Sequence, residues 1–243
     1  MTTTDAVLLL SHGSRDPRAA HVVSELVAAV AGRTGREVRA ADLNFTVPTP
    51  QVALRQLADD GFRAVRVVPL LFTPGYHLTH DVPLAIAASG VTKAMTVTVA
   101  PALLAGEGSQ RDLLLMALAD RLLHAGGERH VDGLVLAWAG SSSQRARMYI
   151  ENLARDLERS HGIPVEPAAF ASAGSPSPTQ ALEALSDKRI RRPAVASLFV
   201  AAGRLSDSVV AACADVPVAE PLGQSPAFVE LLVAQSQLQF ATS

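Results

Sequence analysis

The stretch "AVLLLSHGSRDPRAAH", residues 6–21, passes from an aliphatic run through a histidine into a helical pattern. Ala6 to Leu10 have the composition and length of a strand buried on both faces. After His12, Gly13 and Ser14 turn the chain, and Asp16 is suited to cap a helix whose first residue is Pro17. An imidazole is therefore expected at a strand end, beside helix N–H groups that favour anions.

The same alternation continues outward. Strand-like runs at 6–11, 36–43, 64–72 and 95–101 alternate with amphipathic stretches near 17–32, 50–60, 79–89 and 109–125. This is the pattern of a parallel sheet flanked by helices, an α/β fold. "HAGGERHVDG" (124–133) interrupts it, and the alternation restarts at 134–139. Strands are then expected near 164–170, 194–200 and 216–219, with helices near 143–160, 177–187 and 225–240. The division expected is 1–127 and 128–243.

The restart reads as a repeat. A shift of 127 lays "LLLSHGSRDPRAA" over "VLAWAGSSSQRAR", matching Gly13 with Gly140, Ser14 with Ser141 and Arg18 with Arg145. A shift of 128 lays "TPQVALRQL" (49–57) over "SPTQALEAL" (177–185). Two tandem α/β halves are the result. His12 falls on Ala139, and His77 on Arg204 or Leu205 according to the shift, so chemistry is expected in the first half alone.

Composition narrows the class. Of 243 residues, 49% are hydrophobic and 18% charged, enough for a large aliphatic core. A net charge of −2 offers no general attraction to nucleic acid or an anionic membrane. The one basic block, Lys188 to Pro193, reads as a solvated loop. Cys213 stands alone and suits a reducing compartment and a core position. No apolar run approaches about 18 residues, and a cytoplasmic protein is expected.

Of seven histidines, His124 and His130 lie in the Gly-rich connector, His21 lies on the first helix, and His161 closes a helix before Gly162. His12, His77 and His80 remain. "VVPLLFTPGYHLTHDVP" (67–83) starts as an inner strand and leaves through Pro74-Gly75 into a loop holding His77, His80 and Asp81. In a parallel sheet such strand ends share one edge, where ligands bind, so His12 and His77 can converge. Two neutral imidazoles suit Co²⁺, Fe²⁺, Ni²⁺ or Zn²⁺ but are too few for a closed structural zinc site. His80 is a weaker third donor. Asp81 reads first as the cap of the following helix and second as a partner of His77 or the metal.

At "SHGSRDPRA" and "VPLLFTPGYHLTHDVP" the chain resembles the class II chelatases of the sirohydrochlorin chelatase group, of the CbiX and SirB type. The resemblance implies two tandem chelatase-like, flavodoxin-like domains, the second degenerate. It implies ATP-independent insertion of a divalent metal, Co²⁺ or Fe²⁺ with Ni²⁺ also admitted, into the tetrapyrrole sirohydrochlorin for cobalamin or sirohaem. By position, His12 and His77 match the paired active-site histidines, with His80 an additional metal ligand. Ser14, Arg15, Asn44, Tyr76, Ser141 and Arg145 are the substrate-binding candidates. No permanently bound cofactor, nucleic acid or membrane is implied, and a monomer is expected because one chain carries both halves. Many members have a glutamate after the second strand's aromatic, whereas "LNFTVPTP" (43–50) offers Asn44, Thr46 and Val47.

Three other readings compete, one of them a purely structural protein without activity. A histidine phosphatase would place arginine before the strand-end histidine, where this chain has Ser11. A carrier of metal or tetrapyrrole would bind the same ligands without turnover.

Overall fold

A computed structural model describes residues 5–126, 131–170 and 176–237. The first half runs β1 (Asp5–Ser11), α1 (Pro17–Thr34), β2 (Glu37–Asp42), α2 (Pro50–Asp59), β3 (Ala64–Pro69), a π-helical turn His77–Asp81, α3 (Val82–Ser89), and β4 (Thr96–Val99). The second runs α4 (Ser109–Gly126), β5 (Gly133–Trp138), α5 (Gln144–His161), β6 (Val165–Ala169), α6 (Pro178–Asp187), β7 (Pro193–Ser197), α7 (Arg204–Ala212) and α8 (Pro226–Gln237).

The chain forms two compact units, Met1–Gln110 with Phe228–Ser243, and Arg111–Ala227. The sheet of the first unit has the order β2-β1-β3-β4, every pair parallel. β1 is central, and Ala6 to Leu10 are at most 1% exposed, as its unbroken aliphatic run requires. Leu8 and Leu10 pack with Ala53, Leu54 and Leu57 of α2 and Val82 of α3. Because α1 leads from β1 to one neighbour and α2 leads on to the other, the strand order reverses at β1, and it is beyond the C-terminal ends of strands at such a reversal, here β1 and β3, that ligands of open parallel sheets bind.

In the second unit the order is β6-β5-β7, again parallel. Backbone bonds repeat those of the first: Leu70 N to Leu10 O and Leu198 N to Ala137 O, both 2.8 Å, and Ala100 N to Val67 O and Ala219 N to Val195 O, both 2.8 Å. The two repeat shifts are thereby reconciled. β1–β2 and β5–β6 pair at an offset of 127, while Asp42 N to Pro48 O and Ala169 N to Pro176 O span loops that differ by one residue. Beyond that loop the offset is 128, so His77 corresponds to Leu205.

Each unit is closed by the helix that ends the other half of the sequence. α4 joins the second unit, where Arg111 Nε donates to Asp156 Oδ2 at 2.7 Å. α8 joins the first, with Phe228, Leu231 and Leu232 at 0% exposure, and Arg36 and Arg66 donate to the carbonyls of Ser236 and Gln235 at its end. Each buried apolar side chain of that kind contributes about 1.5–3 kcal/mol. The expected division at 127/128, like His130, lies outside the described residues.

Two expectations are corrected, and one helix is added. The strand at 216–219 is a single parallel bridge, Val195 to Val218. α7 was not foreseen; it is short and starts after Gly203 without a side-chain cap. His124 belongs to the last turn of α4 rather than the connector, its ring bonded to the carbonyl of Asp120. Cys213 is buried, which pushes its thiol pKa up, as a core residue's should be. Among the described residues no helix is long and apolar enough to cross a membrane.

Candidate functional site

β1 and β3 pair in register up to Leu10 and Pro69, so the segments leaving the two strands emerge at the same edge of the sheet. His12 comes one residue after β1 ends. His77 begins the π-helical turn after β3, whose Val82 N–H reaches back to the His77 carbonyl, a widened turn of the sort found at functional sites. The two imidazoles meet with ring centroids 4.5 Å apart and planes tilted by 52°.

Asp81 stands behind this pair. Its Oδ2 accepts from His77 Nδ1 at 2.6 Å, and its Oδ1 accepts from His80 Nδ1 at 3.2 Å. Hydrogen bonds from the two imidazoles, His77 first, hold its carboxyl below the usual carboxylate range. With Nδ1 of His77 donating, Nε2 is the ring nitrogen left with a lone pair for a metal. The expected helix cap is thus corrected: Asp81 makes no side-chain cap bond to α3, because it is itself helical, in a π-helical turn that runs directly into α3 and whose Val82 N–H is bonded to the His77 carbonyl.

The residues flanking His12 in sequence are held by a second set of bonds. Ser11 and Thr46 each donate a hydroxyl to Asp42, one to Oδ1 and one to Oδ2, while Ser11 Oγ accepts from Gly13 N at 3.0 Å. Burial first, and the neighbouring His77 second, lower the His12 pKa, against the opposing charges of Asp42 and Asp81. The ring therefore keeps its neutral, metal-binding form to a lower pH than an ordinary histidine.

The turn after His12 is as the sequence predicts: Asp16 accepts from Arg18 N at 3.0 Å and caps α1, with Pro17 first in the helix. Ser14 is used locally, accepting from Asp16 N at 3.0 Å. Arg15 lies over the Phe45 ring, its guanidinium carbon 5.2 Å from the centroid. Tyr76 is exposed and stacked on His80, centroids 4.5 Å apart and planes at 23°. Asn44 enters through its backbone, donating to His12 O at 3.1 Å. Ser141 and Arg145 belong to the second unit, at the equivalent turn, where Ser141 Oγ accepts from Ser143 N at 3.1 Å. Among the described residues no group of three or more His, Cys, Asp or Glu is arranged to hold a metal ion; the juxtaposed donors are His12 and His77, and His80 is turned to Tyr76.

Asp42 and Phe45 were missed by the sequence reading. Asp42 ends β2 at the same edge as His12, and its place in the strand pattern was a usable signal. Phe45, between an asparagine and a threonine in a loop, belongs to no periodic pattern.

The family model CbiX matches residues 6–122 and again 133–238. The chain belongs to the CbiX family. Both halves match, so the second half, which lacks counterparts of His12 and His77, is a CbiX repeat as well. A sirohydrochlorin cobaltochelatase of Methanococcus maripaludis is 31% identical over 80 residues, 32% of this chain and 56% of the relative. One of Methanococcoides burtonii is 32% identical over 84 residues, 34% of this chain and 64% of the relative. These alignments thus span less than two thirds of the curated relatives. In fold, this CbiX chain is similar to SirB from Bacillus subtilis with Fe³⁺, with a TM-score of 0.76 at 18% identity over 95% of this chain and 93% of the other.

Proposed function

We propose that the chain is a sirohydrochlorin chelatase that inserts Co²⁺ or Fe²⁺ into the macrocycle without ATP, for cobalamin or sirohaem. The observation that carries this reading is the meeting of His12 and His77 at 4.5 Å on the open edge of the first unit's sheet. Insertion requires a hydrated cation to lose water, two pyrrole N–H protons to leave, and a flat ring to lie over the metal. Two imidazoles bind such a cation without enclosing it. The pair therefore suits a metal that is a substrate and is handed on. His12, whose pKa is lowered by burial and by His77, is in its neutral form available as a metal donor or a proton acceptor. Asp42 and Asp81 add negative charge near His12. The names of the relatives, cobaltochelatases and an iron-bound SirB, support this reaction class and both metals. Both halves lie in one chain, which supports a monomer.

A carrier of metal or tetrapyrrole is the second reading, favoured by the lack of a three-donor group among the described residues. Both readings predict binding, and only the enzyme accelerates metallation. Mixed with sirohydrochlorin and Co²⁺ or Fe²⁺, the full chain is expected to speed the absorbance change of metallation over the protein-free control, and His12→Ala or His77→Ala to remove most of that gain. A rate equal to the control rejects the enzyme, and unchanged rates in both variants reject the site.

A further inference from the structure

Phe45 is a large apolar side chain that the fold does not bury. It is 58% exposed, and its backbone has φ +72°, a conformation that a bulky L residue rarely adopts. Thr46 N donates to Asn44 O at 2.9 Å, so Phe45 is the apex of a γ-turn of the rare, strained, positive-φ kind. Both ends of this turn are tied down. Asn44 N bonds to His12 O at 3.1 Å, and the Thr46 hydroxyl bonds to Asp42, whose other oxygen holds Ser11. The anchors hold the strain, and the strained residue contributes little packing in return. Strain retained in this way gathers where a residue meets a ligand.

The surroundings indicate the kind of ligand. The Phe45 ring stands edge-on to His12, centroids 6.0 Å apart and planes at 77°, and the Arg15 guanidinium lies over it at 5.2 Å. A flat aromatic face and a cation are thus fixed together beside the metal-binding imidazole. Resting on the chelatase reading, we infer that Phe45 and Arg15 form the seat of the macrocycle: the ring meets its π-face, and the guanidinium pairs with a peripheral carboxylate. Phe45 acts on the tetrapyrrole and leaves the metal to the histidines. Neither residue belongs to the reacting atoms; they set which flat, polycarboxylated ring is accepted and how it lies.

Phe45→Gly tests this, because it removes the ring and relieves the backbone at once. Metal-free sirohydrochlorin is titrated into wild type and variant and followed by its fluorescence, Co²⁺ affinity is measured separately, and both proteins are melted. The expected result is about tenfold weaker tetrapyrrole binding, the scale of one lost aromatic stack, with Co²⁺ affinity within about twofold and thermal stability unchanged or raised. Phe45→Tyr is expected to bind as wild type does, and Arg15→Gln to weaken binding in proportion to low salt. Equal tetrapyrrole affinity in Phe45→Gly and wild type overturns the inference and leaves the chelatase reading standing. Loss of stability and Co²⁺ affinity together also overturns it, by showing that the ring serves the loop. Weakened tetrapyrrole binding in a protein that never accelerates metallation supports the seat and removes the enzyme.

Discussion

Replacing Gly13 by alanine places a methyl group where the chain carrying His12 runs closest to the loop after β2. The added Cβ would lie 1.9 Å from the carbonyl oxygen of Asn44, against a separation of at least 3.0 Å in real contacts, and the residue has φ +88°. The backbone term alone costs about 1–2 kcal/mol for an L side chain. Opening the contact also pulls Asn44 N from His12 O, now 3.1 Å apart, at about 1 kcal/mol for the bond lost. The sum is about 2–3 kcal/mol, or about 5–10 °C in melting temperature for a chain of this size. Gly35, the cap of α1, isolates the collision: it has φ +65° and nothing within 4 Å of an added Cβ, so Gly35→Ala carries only the backbone term. Melting both variants by circular dichroism, with Co²⁺ affinity in parallel, is expected to show Gly13→Ala less stable by a further ~1 kcal/mol or more and weaker in metal, with Gly35→Ala unchanged in metal. Equal stabilities, or full Co²⁺ affinity in Gly13→Ala, would refute the argument that this close approach sets His12.

Asp81→Asn leaves the size of the side chain unchanged but can accept from only one imidazole through its single oxygen; long-range ¹H–¹⁵N spectra are expected to show His77 and His80 both protonated on Nδ1 in the wild type and at least one altered in the variant, with Co²⁺ binding about 10–100-fold weaker. Unaltered tautomers would remove Asp81 from the site. For His12, NMR titration of the metal-free protein is expected to give a midpoint below the ordinary 6.5, from burial and the nearby His77. Since the folded value lies below the unfolded one, His12's contribution to stability is complete above about pH 6.5 and is lost as pH falls from there through the folded value; a midpoint at or above 6.5 would contradict the reasoning.

Much of the site could be read because two signals agreed. The aliphatic run stopping at Ser11 and the Asp16-Pro17 helix start are local features, and the structure realises both. The convergence of His12 and His77 came from parallel topology, which places both strand ends on one edge. What escaped depended on tertiary partners. "HDVP" (80–83) has the pattern of a helix cap, yet Asp81 lies inside the π-helical turn that runs on into α3, and its oxygens face two imidazoles. Segment 216–219 has strand composition but makes one bridge. The exchange of α4 and α8 between units leaves no local mark: α8 is buried on most of its faces, but a helix's own residues do not say which unit it joins.

The most direct test is to locate cobalt in crystals of the full chain, from diffraction on either side of its absorption edge. The account predicts one principal anomalous peak within bonding distance of both Nε2 of His77 and the His12 imidazole, lost when either residue is replaced by alanine. A principal peak elsewhere, on His80 alone or at the surface pairs His21–Glu25 or His124–Asp120, would contradict it.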